Sequence, residues 1–137
     1  MSKVVSISEA ASIAIHGMIL IARAESSVNV QQIADAISSS RHHVAKVMQR
    51  LSKEGFISST RGPSGGFVIS RDPSEISFLE IYESIEGKIE VSKCPMSKPV
   101  CPFDKCIMDN IYNRMTLEFR DYLKGQMVND YLGGGKN

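Results

Sequence analysis

Six consecutive residues, Arg61-Gly62-Pro63-Ser64-Gly65-Gly66, hold three glycines and a proline, so neither a helix nor a regular strand can run through them. The runs on either side, residues 56–60 and 67–70, are rich in β-branched and aromatic side chains, and the whole reads as a hairpin whose tip uses glycine for positive φ. What surrounds this hairpin is helical in pattern. The chain has 137 residues, 42% hydrophobic and 23% charged, which suits one ordinary soluble core and excludes a multidomain enzyme. The architecture this predicts is mainly α with a small β-hairpin wing.

The first helix is expected over residues 6–23, with Ser6 and Glu9 in capping-box spacing. Ala10, Ala11, Ile13, Ala14, Ile15, Met18, Ile19, Ile21 and Ala22 surround most of it, which fits either a central core helix or one that also meets a second subunit. His16 and Arg23 interrupt or bound this stretch, and it is shorter than the roughly 20 apolar residues of a membrane span. No transmembrane helix and no secretory leader are expected, which makes the cytoplasm the default location.

Asn29 and Gln32 have the spacing to cap a short helix through Ile37, and Ser38-Ser39-Ser40 breaks it while offering a cap to the next, over residues 41–53. In that second helix Val44, Val47, Met48 and Leu51 share one face, leaving Arg41, His42, Ala45, Lys46, Gln49 and Arg50 on the other. Two short helices across a tight turn suggest a helix-turn-helix. Ser77 and Glu80 then open a helix that Gly87 stops, with Phe78, Ile81, Tyr82 and Ile85 on one side. Residues 88–106 carry three prolines and all three cysteines and are expected to form an ordered loop. A long amphipathic helix is predicted over 107–132 from Met108, Ile111, Tyr112, Met115, Phe119, Tyr122, Leu123 and Gln126, and residues 133–137 as a disordered tail.

The net charge of +1 says nothing of a nucleic-acid partner, but its distribution does. Between Ile37 and Arg71 lie Arg41, Lys46, Arg50, Lys53, Arg61 and Arg71 against the single Glu54. Such an excess on a helix-turn-helix and wing is the footprint of a DNA binder, since neutralised phosphates release counterions; the bland alternative is a solvated basic face. The start of the second helix would reach base edges, which selects Ser40, Arg41, His42, Ala45 and Lys46, with His43 also a candidate unless it turns inward. Arg50 and, on the wing, Ser64 join the DNA-facing set. Arg61 at the wing tip is long enough to enter a minor groove or to meet a phosphate.

Cys94, Cys101 and Cys106 form no Cys-x-x-Cys pair but stand close enough in sequence to converge on one centre. Soft thiolates favour an iron–sulfur cluster, zinc or copper(I), and Lys93, Lys98 and Lys105 would lower the thiol pKa values. Asp109 could add a fourth ligand, or simply place charge at a helix start. No nucleophile with a positioned base and no phosphate-binding glycine loop is present, so an enzyme is not expected.

The pattern Leu51-x-x-x-Gly55-x-Ile57-x-Ser59-x-Arg61-Gly62-Pro63-x-Gly65-Gly66-Phe67, with the helix that follows, resembles the Rrf-two (Rrf2) family of winged-helix transcriptional regulators. The resemblance covers nearly the whole chain. It implies a winged helix-turn-helix DNA-binding domain over 1–87, a cluster-binding loop over 88–106 and a dimerisation helix over 107–132 crossed between the subunits of a homodimer. Its partner would be double-stranded operator DNA, and its cofactor an iron–sulfur cluster, 2Fe-2S or 4Fe-4S, on Cys94, Cys101 and Cys106, sensing iron, redox state or nitric oxide. There are departures. The middle cysteine is displaced by one residue; Asp109 stands where one branch of the family has a histidine ligand; and Ser12, with Glu9 one turn earlier, stands where another branch has an acidic ligand from the partner's first helix. Ala45 replaces a glutamate that modulates base choice in one branch. The alternative within the family is a cluster-free regulator that acts through thiol chemistry or a protein partner.

Overall fold

A computed structural model describes residues 2–91 and 102–133. The elements run α1 (Glu9–Arg23), α2 (Val30–Ile37), α3 (Arg41–Lys53), β1 (Ile57–Thr60), β2 (Gly66–Ile69), α4 (Phe78–Glu86) and α5 (Ile111–Gly125), with 3-10 turns at Pro73–Glu75 and Val128–Tyr131. The mainly α fold with a two-stranded wing is as the sequence predicts.

α1 starts two residues later than the Ser6 cap would place it. Ser8 is the N-cap, its hydroxyl accepting from Ala11 N–H at 3.0 Å and donating to the Glu86 carboxylate at the end of α4. That long-range partner selects between two serines that local spacing could not distinguish. Ala11, Ile13, Ala14, Gly17, Met18 and Ile21 are buried, and α1 packs on α3, α4 and β2 as the central helix of the core.

α2 has the expected reciprocal cap: Gln32 N–H donates to Asn29 Oδ1 at 2.8 Å, and Asn29 N–H to Gln32 Oε1 at 2.9 Å. Ser38 then takes a left-handed conformation, φ 53°, and Ser40 caps α3 by accepting from His43 N–H at 3.1 Å. Val44, Val47, Met48 and Leu51 are all buried, as their spacing requires.

β1 and β2 pair antiparallel from Ile57↔Ile69 to Thr60↔Gly66. The wing has a third neighbour: Val28 N–H donates to Phe67 O at 3.0 Å, and Phe67 N–H to Val28 O at 2.8 Å. Gly66 is what lets the chains approach so closely, since a Cβ there would lie 2.6 Å from both the carbonyl carbon and oxygen of Val28. Gly66→Ala is therefore expected to cost about 1–3 kcal/mol, the range for overpacking, and urea unfolding would measure it. An unchanged midpoint would mean that the Val28 strand moves freely away.

α4 has half of the predicted capping box. Ser77 accepts from Glu80 N–H, but the Glu80 carboxylate turns to Arg71, at 3.1 Å, whose guanidinium also lies over the Phe56 ring, 4.8 Å from its centroid.

The long helix expected over 107–132 is shorter. Asp109 and Asn110 both have left-handed backbone, φ 51° and 55°, and delay its start to Ile111; at the other end it stops at Gly125. The chain then turns back, with Phe78 N–H donating to Gln126 O at 2.8 Å and Val128 N–H to Ile76 O at 3.0 Å. Val128 and Leu123 enter the same core as Ile76, Phe78 and Ile81, and Tyr131 stacks on Phe78. The single core thus runs across the boundary that the sequence suggested at residue 87. Most of the tail expected to be disordered, residues 134–137, lies outside the described residues. Among the described residues, no helix is long and apolar enough to cross a membrane.

Candidate nucleic-acid interface

Burying four residues of α3 along one stripe forces the opposite stripe outward. Arg41, His42, Lys46, Gln49 and Arg50 are exposed, with Ser40 at the cap before them and Ala45 half-buried between. Among the described residues, no acidic side chain lies within ion-pair distance of Arg41, Lys46, Lys53 or Arg61. Arg50 meets Glu54 at 3.5 Å, an exposed contact of little strength that leaves its guanidinium available.

His43 is different. Its Nδ1 sits 3.0 Å from Glu9 Oε1, so the imidazole joins the first turn of α3 to the first turn of α1 while both side chains stay exposed. Beside this contact Glu9, Ser12, Ile13, His16, the end of α2 and Ser39 line a hollow of about 280 Å³, where His16 Nδ1 lies 2.7 Å from the accepting Ser12 carbonyl. Glu9 could not be found from sequence as a partner of His43, because 34 residues separate them.

At the wing, Arg61, Gly62, Pro63 and Ser64 are exposed, and the tip closes with Gly65 N–H donating to Gly62 O at 2.9 Å. Ser27 Oγ donates to the Ser64 carbonyl, which ties the tip to the segment before α2. Sequence reasoning missed Ser27 and Val28 as wing supports; the one local hint was a β-branched residue directly before the Asn29 cap.

The thiols are only partly visible. Cys94 and Cys101 lie outside the described residues; Cys106 is half-buried, a free thiol in the turn that leads into α5. Asp109 N–H donates to Cys106 O at 3.0 Å, but the Asp109 carboxylate is exposed and 3.8 Å from Arg114, which also donates to the Asp109 carbonyl. Among the described residues, no group of three ligating side chains comes together.

α5 fastens to the core by one side. Phe119 meets Tyr82 edge to face at 5.7 Å, and Leu123 is buried; burial first and Glu86 second push the Tyr82 hydroxyl above its ordinary pKa. Along the same apolar stripe Ile111, Tyr112, Met115 and Tyr122 stay exposed.

Residues 7–133 match a family model described as Rrf2, iron-dependent transcriptional regulator. The chain belongs to the Rrf2 family. Rrf2 relatives include the HTH-type transcriptional regulator NsrR of Bacillus subtilis (strain 168), 28% identical over 106 residues, 76% of this chain and 73% of the relative. The HTH-type transcriptional regulator IscR of Escherichia coli (strain K12 / DH10B) is 25% identical over 107 residues, 75% of this chain and 66% of the relative. In fold, the chain is similar to CymR, the global cysteine regulator of B. subtilis, with a TM-score of 0.77 at 21% identity, covering 96% of this chain and 99% of that one. Rrf2 membership makes this chain a DNA-binding transcriptional regulator of winged-helix fold and not an enzyme.

Proposed function

We propose that the chain acts as a homodimeric, operator-binding regulator whose DNA affinity is set by an iron–sulfur cluster on Cys94, Cys101 and Cys106. The observation that carries the DNA half is the exposed basic stripe of α3 beside an anchored wing with Arg61 at its tip. Ser40, Arg41, His42 and Lys46 would face bases, with Arg50 and Ser64 contacting DNA beside them. His43, exposed and paired with Glu9, would stand at the edge of that set. The exposed part of the α5 stripe supports the homodimer, since Ile111, Tyr112, Met115 and Tyr122 are otherwise left in water.

For the cluster, the donor set fits: three thiols in one short loop, the last of them half-buried where α5 begins. Bound there, a cluster supplies a group reactive toward oxygen and nitric oxide. The rest belongs to the protein. Cys106 precedes α5 by one hydrogen-bonded turn, so any reordering of the loop acts on the start of the helix that joins the subunits. Such a change alters operator affinity only insofar as the two dimer states bind DNA differently. The fourth ligand would be Asp109, released from Arg114, or a group from the partner's α1.

The test is anaerobic purification with an absorption spectrum, iron and acid-labile sulfide assays, and a band shift on the chain's own promoter region. A brown protein with equal iron and sulfide supports the reading, and iron per dimer separates 2Fe-2S from 4Fe-4S. A second reading within the family is a cluster-free regulator using its thiols directly or with a protein partner. A colourless protein that resists reconstitution yet shifts the promoter would establish that one.

Within the DNA half, Arg61→Ala is expected to weaken binding roughly tenfold on operators with narrow A·T-rich segments, measured by fluorescence anisotropy. Equal loss on every sequence would make Arg61 a phosphate contact.

A further inference from the structure

The basic stripe of α3 continues past the turns that face the bases. Lys46, Arg50 and Lys53 follow one another at four- and three-residue spacing, so they share a flank of the helix. With Gln49 they form one wall of a groove of about 410 Å³, whose apolar lining comes from Ala10 of α1, Val47 of α3 and Ile85 of α4. Lys46, Gln49, Arg50 and Lys53 are all exposed, and among the described residues their one acidic partner is Glu54, beside Arg50 at 3.5 Å. The wall therefore presents three cations and an amide over a greasy floor.

That chemistry selects a ligand with negative charges repeated along a line and less polar faces between them. A nucleic-acid strand has this form, with a phosphate at about every 3.4 Å of duplex axis and a deoxyribose between phosphates. From Lys46 to Lys53 the helix rises about 10 Å, enough to meet successive phosphates of one strand. We propose that this groove is a second DNA contact, a track for the sugar-phosphate backbone beside the bases that α3 reads, with Lys53 as the phosphate contact at its far end. The inference rests on the DNA-binding reading and adds to it Gln49 and Lys53, beside the Lys46 and Arg50 already placed at the DNA.

The experiment measures the affinity of the full-length dimer for its promoter duplex and for an unrelated duplex across a series of KCl concentrations. Lys53→Gln should reduce the slope of log K against log salt by about one and lower affinity by the same factor on both duplexes, whereas Lys53→Arg should keep the wild-type slope. Lys124→Gln, on α5, serves as the control for charge removed elsewhere and should also keep it. An unchanged slope for Lys53→Gln overturns the proposal, and it would leave an acidic protein surface as the occupant of the groove. A loss confined to the promoter duplex overturns it too, because that is the behaviour of a base contact. If the wild-type dimer bound neither duplex, the DNA-binding reading itself would fall, an outcome visible before any variant is made.

Discussion

Met115→Asp is expected to convert the dimer to a monomer at micromolar concentration and to abolish the promoter shift with it. Met115 stands one turn after Ile111, on the exposed length of the stripe that Phe119 and Leu123 carry into the core. A carboxylate placed there would meet its symmetry mate and the apolar side chains of the opposite helix, and because a twofold interface counts each substitution twice, the expected rise in dimer Kd is about a thousandfold. Sedimentation velocity reads the result directly. Phe119 on Tyr82 and Leu123 in the core lie one and two turns further along, so the monomer should unfold at a temperature near that of its parent. A variant that stays dimeric would show that α5 is not the contact between subunits.

Cys106→Ala carries the other large effect. Removing one of three thiolates is expected to bring iron and sulfide to background after anaerobic reconstitution, with loss of visible absorption. The side chain is half-buried and small, so the change should leave the fold unaltered by far-UV circular dichroism. Full iron and sulfide in this variant would refute the assignment of Cys106 as a ligand. Asp109→Ala makes a graded companion: a carboxylate ligand should give a labile cluster, while a carboxylate that only meets Arg114 should give an unaltered one.

Much of the fold is written in local chemistry. The Asn29–Gln32 box, the serine turn, the buried stripe of α3 and the glycine tip of the wing each depend on residues within a few positions of one another, and these are where expectation and structure agree. Apart from the late start of α5, where Asp109 and Asn110 are left-handed, the differences have partners farther off along the chain. Ser8 is the cap of α1, and Glu86, 78 residues on, bonds it. Glu80 leaves its own cap for Arg71. His43 has the periodicity of a flank residue, and only the packing of α1 on α3 turns it to Glu9. The end of α5 was hidden for the same reason, because apolar spacing continues to Gln126 while the backbone of 126–128 is claimed by 76–78. The basic wall at Lys53 needed α4 as well: Ile85 was legible as an apolar helix residue, but not as the floor beneath three cations.

That return of the chain onto residues 76–78 also fixes an order of events during synthesis. Leu123 and Val128 complete a core to which α1, α3 and α4 also contribute, each worth about 1.5–3 kcal/mol on burial. A nascent chain that has emerged only as far as the wing and α4 lacks both. Stability of the reading head is thus withheld until α5 and the turn after it have been translated, and a half-made regulator has little means of occupying an operator alone.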